Sequence, residues 1–150
     1  MVFSIVLFVG SWLFFLFLGK KKKFYVLSPT CYVAMILGLS TDVMIDAYGL
    51  WEYPATTGLQ SFWRHILDDF GIYFVVTYLF LQTLPKQPNF WNMVLHIFYW
   101  SVLAFGLEFL ALKTGNLKHR LWWNLGFSYV SDVGLYLIFY YHHRWRVRME

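Results

Sequence analysis

With 150 residues the chain is sized for one domain. Hydrophobic side chains make up 59% of it and charged ones only 13%, against about 25% charged in soluble domains, so too little polar surface is available to cover a soluble fold. The formal charge of +4 is gathered in segments, which excludes a nucleic-acid footprint, and Cys31 as the single cysteine excludes an intrachain disulfide.

A helix needs about 20 mostly apolar residues to cross a bilayer. The first expected span, 2–19, carries no charge and stops at Lys20-Lys21-Lys22-Lys23. Secretory signals carry their positive charges ahead of the apolar run, so this pattern predicts an uncleaved anchor with its N-terminus outside. A second span is expected over 24–49, then a loop marked by Pro54, Thr56, Thr57 and Gly58, and a third span over 66–84. Pro85-Lys86-Gln87-Pro88 forms a turn before a fourth span over 90–112, and the loop 113–120 leads to a fifth over 122–142 with a basic tail, Arg144, Arg146 and Arg148. Runs of this length are helices, because membrane strands are near ten residues and alternate in polarity. The expected fold is an all-α membrane protein, one domain over 1–150 with five transmembrane helices. It consists of an anchor helix followed by two helical hairpins.

Orientation follows from the basic residues. With the N-terminus outside, the cytoplasmic side collects Lys20–Lys23, Lys86, Arg144, Arg146 and Arg148, while the outer side keeps Arg64, Lys113, Lys118 and Arg120. The expected placement is therefore a bacterial plasma membrane, multi-pass, N-terminus outside and C-terminus cytoplasmic. The basic cytoplasmic segments are expected to meet anionic headgroups. A homo-oligomer or another membrane protein is the other expected partner, and nucleic acid is not one.

Asp69-Phe70-Gly71-Ile72-Tyr73 matches Asp132-Val133-Gly134-Leu135-Tyr136, and Asp42 with Gly49 matches Glu108 with Gly115. The matches imply an internal repeat, about 29–84 and 92–142, of the parallel kind related by an axis along the membrane normal.

Ionisable residues within spans are the sharpest signal, each costing about 2.5–3.5 kcal/mol at a helix centre. Asp42 and Asp46 share a face of the second span at four-residue spacing, continued by Ala34 and Gly38. Asp69, Tyr73 and Thr77 share one in the third, and Asp132, Tyr136 and Tyr140 one in the fifth. With Glu108 and the loop residue His119, these give the candidate cluster Asp42, Asp46, Asp69, Tyr73, Glu108, His119, Asp132 and Tyr136, at one depth in the outer half of the bilayer. Three chemistries fit it. The acids can be structural hydrogen-bonding groups between helices. They can hold a cation or proton: hard ions suit carboxylates alone, and His65 or His119 would admit zinc. They can also be acid–base groups acting on a lipid-soluble substrate. Nothing in the spacing selects a cofactor, a metal or a reaction. His96, alone in an apolar stretch, reads as a packing residue.

Asp42, Tyr48-Gly49-Leu50-Trp51-Glu52-Tyr53 with Pro54, Asp69, Glu108, Gly115, His119, Trp123 and Tyr129 together resemble a family of small polytopic membrane proteins of endospore-forming Firmicutes, over about residues 30–145. That resemblance implies several helices in the cytoplasmic membrane and no established activity. Asp46 with Gly49-Leu50-Trp51 is more distantly similar to a signature of the repeated-helix membrane lycopene cyclases, whose paired Glu-Glu after a proline is replaced here by Asp68-Asp69 without one. The expected function is that of a non-enzymatic assembly or interaction protein carrying an outer-half carboxylate cluster. The alternatives are a cation- or proton-binding transport component and a membrane-embedded lipid- or isoprenoid-modifying enzyme.

Overall fold

A computed structural model describes residues 2–54 and 59–149, and they form an almost wholly helical bundle. Helix α1 (Val2–Leu18) is followed by a 3₁₀ turn at Lys21–Lys23 and by α2 (Phe24–Tyr48). A third rod is built of α3 (Leu59–Leu67), a π-helical turn (Asp68–Tyr73) and α4 (Phe74–Gln82). Helices α5 (Phe90–Lys113) and α6 (Leu125–Met149) complete five rods among the described residues.

The helix ends are set by local chemistry. Helix α2 stops at Gly49, whose φ of 61° is left-handed and favours glycine, with Leu50 N–H donating to Ile45 O at 3.0 Å and Gly49 N–H to Asp46 O at 3.1 Å. Helix α5 stops in the same way at Gly115, φ 71°, with Asn116 N–H donating to Ala111 O at 2.9 Å and Gly115 N–H to Leu112 O at 3.1 Å. At its other end the Asn89 side chain caps α5, accepting from Asn92 N–H at 2.8 Å. Just beyond the two glycine-closed ends, β1 (Trp51–Glu52) pairs antiparallel with β2 (Lys118–His119), Trp51 opposite His119 and Glu52 opposite Lys118. Arg120 N–H extends the pairing to Leu50 O at 2.7 Å, and the Arg120 guanidinium pairs with Glu52.

Helix α2 packs on α4, α5 on α6, and α1 on the π turn and α4. The core is aromatic and lies toward the lysine end: Phe15 meets Tyr78 at 4.9 Å between ring centres, and Phe80 meets Tyr136 at 4.8 Å. Two close approaches fix the rods. A Cβ at Gly71 would fall 2.7 Å from Phe8 of α1, and one at Gly38 would fall 2.5 Å from Asp69 Oδ1.

Two helical stretches are long and apolar enough to cross a membrane, Lys21–Tyr48 and Phe90–Lys113. Only 17% of the apolar window of the second is buried within the chain, whereas the core helix of a soluble protein would be mostly covered. The other three rods fall short by themselves, so five spans do not follow from helix length and apolarity. Helix α1 is shorter at 17 residues, and the third rod is interrupted and charged in its first half. Helix α6 begins among exposed aromatics and ends in arginines.

Two boundaries depart from the sequence expectation. The third rod starts at Leu59 rather than 66, so Arg64 and His65 stand on a helix and not in a loop. The markers Thr56, Thr57 and Gly58 lie outside the described residues. Helix α6 starts at Leu125 and runs through the expected tail to Met149. Arginine is a good helix former, and cations are favoured at a helix C-terminus.

Candidate functional site

Asp42 and Asp46 stand one turn apart on α2, and α3 delivers His65 between them. Its Nδ1 lies 2.7 Å from Asp42 Oδ2 and its Nε2 lies 2.8 Å from Asp46 Oδ2. An imidazole whose two nitrogens both face carboxylates donates from both, as an imidazolium. The Tyr53 ring stands 5.6 Å from His65, and the Arg64 guanidinium lies 3.8 Å over that same ring. Burial holds the Tyr53 phenol well above its ordinary range. Arg64 also donates from Nη2 to Asn116 O at 2.9 Å, tying α3 to the end of α5.

A second arrangement is centred on Glu108. Its Oε1 accepts from Ser128 Oγ at 2.6 Å and pairs with His119 Nε2 at 2.6 Å. Trp123 Nε1 donates to Ser128 Oγ at 2.8 Å. The His119 ring is stacked on Trp51 at 6.2 Å, so the β1–β2 pairing presents this base to α5.

Between these two arrangements lies a partly open cavity of about 180 Å³. Asp42, Glu108 and Asp132, from three helices, line it, with Tyr73, Tyr136, Trp51, Tyr53, Arg64 and Asp68. Apart from Thr77 the rest of its wall is apolar, including Leu103, Ala104 and Leu107 of α5 with Val76 and Leu135. Of the eight sequence candidates, Asp42, Tyr73, Glu108, Asp132 and Tyr136 thus share one cavity. Asp46 and His119 stand behind it as partners of His65 and Glu108.

Asp69 does not line it. The residue is fully buried beside Gly38, and neither carboxylate oxygen has a hydrogen-bond partner among the described residues. Asp69 and Tyr73 both lie against Gly38 of α2, on either side of the π turn's wider winding. Tyr73 and Thr77 face the cavity, whereas Asp69 does not.

The eight-residue cluster leaves out Arg64, Trp51 and Tyr53, and takes His65 only as a loop base that could admit zinc and Asp68 only as a further acid. The legible signal was the four-residue spacing of Asp42 and Asp46, which fits one bridging base. Among the described residues no group of three His, Cys, Asp or Glu side chains is arranged to hold a metal ion, and both nitrogens of His65 are already engaged. At the far end, His96 pairs with Phe80 O at 3.1 Å and stacks on that ring, as a packing residue does. His142 pairs with Thr30 at 3.0 Å, and Tyr78 donates to Lys20 O at 2.8 Å.

No protein-family model matches the chain, and no curated protein or solved structure matches it either.

Proposed function

We propose that this chain is a multi-pass membrane protein that binds a lipid-soluble ligand in the cavity between its helices, tail among the apolar side chains and polar end toward Asp42, Glu108 and Asp132. The cavity carries this reading. Close helix packing at the level of the carboxylates would have favoured purely structural acids, and an open apolar chamber at that level favours a ligand. The engagement of both His65 nitrogens speaks against zinc at His65. The cyclase-like alternative is a special case of a lipid-binding cavity, in which the carboxyls would act on the bound molecule as well as hold it.

All five rods are read as spans, N-terminus outside. At 1.5 Å per residue α1 reaches about 25 Å and the third rod about 36 Å, close to or beyond the hydrocarbon thickness. Large apolar side chains are exposed on every rod, among them Phe17, Ile36, Phe70, Phe98 and Ile138, which suits lipid around the whole bundle. The resemblance to the Firmicutes membrane family supports the same location.

Ala104→Trp tests the site by filling it. Native mass spectrometry of the protein in mild detergent should find a retained lipid-soluble molecule on the wild type and none on the variant, at similar thermal stability. Equal retention by both would place the ligand elsewhere and remove this reading.

A further inference from the structure

We infer that the ligand's polar end is an uncharged hydroxyl group, as in a long-chain alcohol or a monoacylglycerol; this rests on the cavity reading above and specifies its ligand. The observation is a set of buried atoms without hydrogen-bond partners, in residues that line the cavity. Arg64, only 4% exposed, leaves its Nε unpaired, and Trp51 leaves its Nε1 unpaired. Both are donors only. Asp68 Oδ1, an acceptor, is likewise buried and unpaired, and its other oxygen is 3.9 Å from Arg64 Nε, beyond hydrogen-bond reach. These groups are contiguous: Trp51 packs on Tyr53 at 6.2 Å, and Arg64 covers the Tyr53 ring at 3.8 Å. All line the same chamber.

Buried polar atoms without partners are costly, so a ligand that satisfies them is favoured over one that does not. An ammonium head could donate to Asp68, but it would leave both donors unmet and face the Arg64 guanidinium. A carboxylate or phosphate head could accept from both donors, but it would be set among Asp42, Asp68, Glu108 and Asp132. A hydroxyl accepts from Trp51 or Arg64 and donates to Asp68, and it carries no charge into a site where Asp42 and Glu108 already have bases, His65 and His119, and Asp132 is a further acceptor. The apolar wall supplied by α5 accounts for the tail.

The test compares matched 18-carbon probes, oleyl alcohol, monoolein, oleylamine and oleate, on the full chain in mild detergent, by thermal shift. The two neutral probes should stabilise the protein and the amine and carboxylate should not. Trp51→Phe, which keeps the ring beside His119 and removes the donor, should weaken monoolein binding about three- to tenfold, the range of one lost hydrogen bond. Asp68→Asn is a second variant, changing the acceptor without touching the aromatic packing, and should weaken it by a comparable factor. Equal or stronger stabilisation by a charged probe would overturn the hydroxyl assignment while leaving the cavity reading in place. Absence of binding by all four probes, with no difference between wild type and Ala104→Trp, would remove both. Neutral binding that neither Trp51→Phe nor Asp68→Asn weakens would mean that water serves these atoms, and would overturn the assignment.

Discussion

His65 is the side chain on which two acids of α2 depend. Asp42 is 6% exposed and bonded at 2.7 Å, so removing the imidazole leaves a buried carboxylate without its charge partner. His65→Gln should cost about 2 kcal/mol, within the range of a hydrogen bond to a charged group, measurable as a lower melting temperature in detergent. Half of this clamp was legible in the sequence, because two carboxylates four apart on an apolar helix demand a shared counter-charge. The base was visible only as a nearby loop residue, and the third rod's early start is what brings His65 level with Asp42 and Asp46. The acids lining the cavity were legible as charges resisting the bilayer. The unpaired wall of Trp51, Arg64 and Asp68 was not, since it depends on how β1 turns toward α3.

At the level of elements, apolar length predicted the helices well. Expected spans 24–49 and 90–112 correspond to α2 and α5 within a residue or so at each end. What escaped was winding. The π turn coincides with two approaches across helices, Gly71 under Phe8 of α1 and Asp69 beside Gly38 of α2, and such contacts between distant segments leave no periodic trace in the sequence. Gly38, like Gly71, therefore differs in kind from Gly106. A methyl at Gly38 meets Asp69 at 2.5 Å and Tyr73 at 3.1 Å, whereas one at Gly106 meets nothing within 4 Å. Gly38→Ala should destabilise the fold by about 1–3 kcal/mol through overpacking. Gly106→Ala should be neutral or stabilising by up to about 1 kcal/mol through helix propensity. Thermal melts of the two variants in the same detergent check both; equal effects would mean that the α2–π-turn contact is not a tight one.

On the scale of the whole molecule, the 66-residue offset between Asp42 and Glu108 recurs in the backbone. Ile45, Asp46 and Gly49 close α2 with the same bonds by which Ala111, Leu112 and Gly115 close α5. In the β1–β2 pairing Glu52 lies opposite Lys118, its own counterpart at that offset. Two equivalent residues meet in an antiparallel ladder only on a two-fold axis, so this register supports the proposed parallel repeat with its axis running through the Glu52–Lys118 pair. A repeat of this kind sends both hairpins into the membrane from the same side, and the charges outside the repeat then decide which side that is. Under the N-outside reading Lys20–Lys23 provide half of the eight basic residues assigned to the cytoplasm, against four assigned to the outside. Changing all four lysines to glutamine leaves the two sides equal, and loop Lys and Arg are what set orientation. A fluorescent-protein fusion at the C-terminus, which matures only in the cytoplasm, should be bright on the wild type. The same fusion on the four-fold glutamine variant should lose a substantial part of its signal, with a matching gain from a phosphatase fusion active only outside. A dark wild-type fusion would invert the topology. A variant as bright as wild type would move control of orientation to the arginines of α6.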